Sequence, residues 1–153
     1  MIVRSGGLDH PATAELLTAH LADMHASSPP DSVYALDMPG LAGADIAFFT
    51  AWDGETMLGC GALRTLGNGD GDGEIKSMRT DPAARGRGVA QAVLDRIVAT
   101  ATSAGMTRLL LETGTGAMFD AAHRLYARNG FASCPAFGDY VATDFNRFLC
   151  RPL

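Results

Sequence analysis

The stretch Met78-Arg79-Thr80-Asp81-Pro82-Ala83-Ala84-Arg85-Gly86-Arg87-Gly88-Val89-Ala90 gathers the residue types that grip phosphate. It runs from a strand signal into the start of an amphipathic helix, so unpaired backbone N–H groups point out of the turn. Such a helix N-terminus attracts anions by ~0.3–1 kcal/mol, and by up to ~2 kcal/mol in sheltered geometry. Gly86 and Gly88 carry no Cβ where a phosphate must come close to backbone. Arg85 and Arg87 can add charge-assisted hydrogen bonds to phosphate oxygens. In isolation, Arg-Gly-Arg-Gly reads as well as a glycine-rich turn with two solvated arginines; the strand before and the helix after favour phosphate. The segment is not a P-loop, because no Gly-Lys-Ser/Thr follows, and Gln91 stands where a dinucleotide fingerprint needs its third Gly.

The elements around this turn follow from periodicity and breakers. Ile2 to Arg4 reads as a short strand, and Asp9 or His10 with Pro11 opens a helix whose Leu17, Leu21 and Met24 share a face. Ser27-Ser28-Pro29-Pro30 ends it, and Val33 to Leu41 has room for one short helix. Ile46–Trp52 and Met57–Leu63 form an antiparallel hairpin across Asp53-Gly54. A Gly/Asp loop from Gly67 to Gly73 leads to a strand from Glu74 to Thr80. Val89, Val93 and Ile97, with Leu94 and Ala101, repeat at helical spacing. Arg108 to Thr113 is a continuous apolar strand, as expected of a central position covered on both faces. A second amphipathic helix spans Ala117 to Asn129, and Phe131–Cys134 and Asn146–Cys150 close the sheet. The order β-α-β-β-β-α-β-α-β-β predicts a mixed α+β fold in a single domain, 1–153.

Bulk properties narrow the class. Hydrophobic residues at 47% and charged residues at 19% mark a globular chain. No apolar run approaches the ~20 residues that span a bilayer, and the N-terminus lacks the apolar core of a signal peptide, so a cytoplasmic location without membrane contact is expected. Cys60, Cys134 and Cys150 form no CxxC pair and read as reduced thiols. A net charge of −5, from 12 Lys+Arg against 17 Asp+Glu, argues against a nucleic-acid partner. The single Lys against many Arg reads as genome composition.

Arg85-x-x-Gly88-x-Ala90 resembles the acetyl-CoA signature of the GNAT superfamily of N-acetyltransferases, Arg/Gln-x-x-Gly-x-Gly/Ala. A second block of that family is met by Ala122, Leu125-Tyr126 and Gly130-Phe131. The resemblance implies a central, mostly antiparallel twisted sheet, flanked by helices, whose fourth and fifth strands splay to admit the pantetheine arm. It implies that Met78, Arg79 and Thr80 pair with pantetheine through backbone, and that Arg85, Gly86, Arg87, Gly88, Val89 and Ala90 hold the pyrophosphate. Tyr126 would protonate the departing thiolate, although a buried aromatic fits its helix equally. Glu74 matches a position that often carries a base for the amine; a solvated carboxylate beside the loop fits as well. Asp139-Tyr140 could line the amine pocket instead. Where relatives carry a cofactor-contacting Asn, this chain has Phe119. A homodimer is common among similar proteins.

The implied activity is acetyl transfer from acetyl-CoA, without a metal, to a primary amine of a small molecule or peptide. A non-catalytic acyl-CoA-binding sensor or partner module is the alternative; Tyr126 and Glu74 favour the enzyme. Asn68-x-Asp70-x-Asp72-Gly73 copies the opening of a calcium loop, but Arg79 stands where a bidentate Glu is needed. His20 and His25 are about 140° apart on a helix and cannot share a metal.

Overall fold

A computed structural model describes residues 1–153. Seven strands form one sheet in the order β1-β2-β3-β4-β5-β7-β6: β1 Ile2–Ser5, β2 Ile46–Asp53, β3 Thr56–Thr65, β4 Asp72–Thr80, β5 Arg108–Thr113, β6 Ala132–Ser133 and β7 Arg147–Pro152. Every neighbouring pair is antiparallel except β4 and β5. The helices are α1 Pro11–Ser27, α2 Met38–Leu41, α3 Val89–Ser103 and α4 Asp120–Arg128. No helix is long and apolar enough to cross a membrane.

The predicted order of elements holds, and the boundaries differ for physical reasons. β4 starts at Asp72, inside the predicted loop, because Arg108 of β5 clasps the Asp72 carboxylate with Nε at 3.0 Å and Nη2 at 2.9 Å. Asn68 also donates to Asp72 at 2.9 Å, so this carboxylate belongs to the strand joint. The last helix begins with a 3-10 turn over Ala117–Phe119 before α4 proper.

The first helix opens at His10, whose Nδ1 accepts from the Ala12 N–H at 3.1 Å. Its buried face is Thr13, Leu16, Leu17 and His20, whereas Leu21 and Met24 are only partly buried. The stripe is shifted because Thr13 is drawn inward by the Gly7 carbonyl, to which its hydroxyl donates at 2.5 Å.

Two apolar clusters cover the two faces of the sheet. Val89, Val93, Leu94, Ile97 and Ala101 of α3 pack with Ile75, Leu109 and Leu111, and Leu125 and Tyr126 of α4 join them. Leu16 and Leu17 pack on the other face with Phe48, Trp52, Cys60 and Ala62. Alternation along β4 therefore sends Ile75 towards α3 and Glu74 and Lys76 to the α1 face.

Candidate active site

β4 and β5 pair only through Asp72↔Arg108, Gly73↔Leu109 and Glu74↔Leu110. From Ile75 to Thr80, β4 pairs with β3 alone, and β5 continues to Thr113 paired only with β7. The parting coincides with a bulge, where Ser77 and Met78 together oppose Gly61, and Ser77 takes a left-handed φ of 54°. Gly61 is required there, since a Cβ would lie 2.5 Å from Met78 Sδ and 2.7 Å from Val93 Cγ1. The strands enclose a cavity of about 830 Å³, lined also by α1, the first turn of α3, and α4.

The turn before α3 supplies one part of the lining. Gly86 (φ 77°) and Gly88 (φ 79°) are both left-handed, and Gly88 caps α3 without any side-chain bond. The first helical bond runs from the Ala92 N–H to the Gly88 carbonyl, at 3.0 Å. The N–H groups of Gly86, Gly88, Val89, Ala90 and Gln91 consequently have no protein acceptor. A Cβ at Gly86 or Gly88 would touch nothing, so glycine is needed for the turn itself and leaves its outer face open.

Side chains from distant segments supply another part. Glu74, 2% exposed, and Lys76, 9% exposed, face the same space from β4. The Tyr140 hydroxyl donates to Glu74 Oε2 and accepts from Lys76 Nζ at 2.7 Å; Lys76 Nζ lies 3.5 Å from the same carboxylate oxygen. Burial and the adjacent Glu74 carboxylate keep the Tyr140 phenol protonated. Its ring packs edge-on against Tyr34 at 4.8 Å and Phe137 at 5.0 Å.

Glu112 faces the cavity from β5. Burial pushes its carboxyl up to about 7; Lys76 opposes this shift and Glu74 adds to it. Tyr126 of α4 lines the cavity, packs against Phe131 at 5.4 Å, and is held neutral by burial. Three buried polar atoms lack a partner: His20 Nδ1, Ser77 Oγ and Arg79 Nε. All three residues line this cavity, which marks its wall as made for a polar ligand. Burial, with Arg79 alongside, lowers His20 to about 4, so that imidazole is neutral at physiological pH.

A strand pair that opens at a bulge, above a glycine turn with free N–H groups, occurs together with a family-wide sequence match. The acetyltransferase (GNAT) family profile matches residues 13–131. This chain belongs to the GNAT family of acetyltransferases. It is 43% identical over 151 residues to the uncharacterised N-acetyltransferase YedL of Escherichia coli, covering 99% of this chain and 94% of the relative. It is 42% identical to the uncharacterised N-acetyltransferase YsnE of Bacillus subtilis, covering 90% of each. Among solved structures, Rv2747 of Mycobacterium tuberculosis, in complex with CoA and NLQ, superposes with a TM-score of 0.72 at 21% identity, covering 100% of this chain and 99% of that one. Acyl-CoA-dependent acetyl transfer is thus the activity of the family to which the chain belongs.

Within this GNAT domain, Met78, Arg79, Thr80, Arg85, Gly86, Gly88, Val89 and Ala90 all line the cavity, as do Glu74 and Tyr126. Arg87 does not; its guanidinium turns to Asp53 at 2.9 Å, at the end of β2. Arg79 lines the cavity, while its guanidinium pairs with Asp23 of α1 at 2.7 Å. Glu74 is far from solvated, and its carboxylate is already shared by Tyr140 and Lys76. Of Asp139-Tyr140, only the tyrosine reaches the site. Phe119 fills its place by packing against Phe145 at 5.8 Å, room that Gly114 leaves by lacking a Cβ.

Sequence reasoning passed over Glu112, Lys76, Tyr34 and His20. A signal was present for two of them. Glu112 is a lone carboxylate in an apolar strand, and Lys76 is the one lysine in a chain that otherwise uses arginine.

Proposed function

We propose that this protein acetylates a primary amine of a small molecule or peptide, by direct attack of the bound amine on the thioester of acetyl-CoA. The observation that carries the reading is the continuity of one cavity from the free N–H groups ahead of α3 to Glu112, Glu74 and Tyr126. Backbone of Met78, Arg79 and Thr80 offers a free strand edge to the pantetheine amides, and the N–H groups of Gly86 and Gly88–Ala90 receive the pyrophosphate.

An amine of the lysine kind has a pKa of ~10.4 and must lose a proton before it attacks. Glu112, poised in the neutral range, takes that proton, and Glu74 with Lys76 and Tyr140 sets the field around it. As the N–C bond forms and the C–S bond breaks, Tyr126 gives its phenolic proton to the departing thiolate. Burial keeps the phenol protonated until then.

The test is release of free CoA thiol from acetyl-CoA across a panel of amines, with the acetylated amine identified by mass. Turnover with at least one amine, lost in Tyr126→Phe, is expected. CoA binding without turnover on any amine would instead make the chain an acyl-CoA sensor.

A further inference from the structure

Arginine pairing in this chain is uneven. Arg64, Arg79, Arg87 and Arg108 each meet a carboxylate. Arg85, Arg124 and Arg128 meet none, and all three line the one large cavity of a chain whose net charge is −5. Arg124 and Arg128 sit one turn apart on α4, so their guanidiniums repel one another on one helix face, an arrangement that costs stability unless an anion lies between them.

Their place relative to the phosphate turn is fixed. Gln91 in the first turn of α3 and Asn129 after α4 exchange two amide hydrogen bonds, both at 2.9 Å. Asn129 also donates to the Leu125 carbonyl at 2.7 Å, which ties the amide pair to the last turn of α4. This clasp holds the arginine face of α4 beside the free N–H groups of Gly88–Gln91.

We propose that Arg124 and Arg128, with Arg85, form a second anion subsite that takes the 3′-phosphate of CoA and selects CoA over its dephosphorylated form. The proposal rests on the acetyl-CoA reading above and deepens it. The main-chain turn has N–H groups enough for a diphosphate and carries no selectivity for a further phosphoryl group. Guanidiniums supply that selectivity, because they match phosphate oxygens with paired donors. Arg87, held by Asp53, takes no part.

Calorimetric titration of the purified protein with CoA and with dephospho-CoA tests it. CoA is expected to bind at least ~10-fold tighter, with the gap narrowing as salt rises because these arginines are exposed. In the double variant Arg124→Gln/Arg128→Gln, CoA should weaken by that same factor while dephospho-CoA is unchanged. Adenosine 3′,5′-bisphosphate against AMP, each as a competitor of CoA, should show the same preference and the same loss.

Equal affinity of wild type for CoA and dephospho-CoA overturns the proposal and leaves the acetyl-CoA reading standing. So does a double variant that loses both ligands equally. If neither ligand binds, both readings fall. Matching thermal unfolding of wild type and variant without ligand establishes that any loss is one of contact and not of fold.

Discussion

The glycine turn and the chamber around Glu112 line the same cavity but are made of different material. The turn offers main-chain N–H groups of consecutive residues, which any sequence able to adopt two left-handed positions could present. The chamber is made of side chains that meet only after folding: Glu74 and Tyr140 lie 66 residues apart in sequence and share a proton. A main-chain site is tolerant in chemistry and strict in geometry; a side-chain site is the reverse. The first therefore suits a ligand common to a whole family, and the second suits whatever is particular to one member.

The largest effect should come from breaking the main-chain part. Gly88→Glu puts a side chain at φ 79° and a carboxylate at the mouth of the turn. CoA binding should drop out of calorimetric range, and retained binding would remove the turn from the site. Tyr126→Phe comes next, with kcat falling ~1,000-fold and the Kd for CoA unchanged, as read by thiol release and calorimetry. A Kd that moves with kcat would make Tyr126 a packing residue.

Glu112→Gln should lower kcat/KM ~100-fold at pH 8 and abolish its rise through pH ~7, because only the ionised carboxylate accepts a proton. The same change should have the opposite sign in stability. Folding favours the neutral form of Glu112, so this residue weakens the fold progressively as pH climbs from its ordinary value of 4.5 to about 7. Above that, Glu112→Gln should stabilise by on the order of 1–3 kcal/mol, seen as a raised Tm at pH 8 and none at pH 4. Arg87→Ala is the smallest: it cuts an exposed ion pair with Asp53, and CoA affinity should change less than about twofold. A tenfold loss would return Arg87 to the phosphate.

How far the molecule was legible in its sequence follows the same division. Arg85-x-x-Gly88-x-Ala90 and the α3 periodicity are local, and the turn, the helix and the order of elements were readable from them. Glu112 was absorbed into an apolar strand because periodicity reports which faces are covered, not that two strands part and leave a face open. Arg87 was misjudged because its partner, Asp53, is 34 residues away. The stripe of α1 was displaced by Thr13, whose inward turn depends on the Gly7 carbonyl.

The parallel joint between β4 and β5 has a mechanical meaning. Within the sheet, three register pairs, with the Arg108–Asp72 clasp at their start, are all that connect the strands before residue 80 to those after residue 108. A guest lying along Ile75–Thr80 would supply the missing rungs and weld two half-sheets into one. Amide hydrogen exchange along that edge should then slow when CoA is added, and heat resistance should grow with CoA concentration as mass action requires.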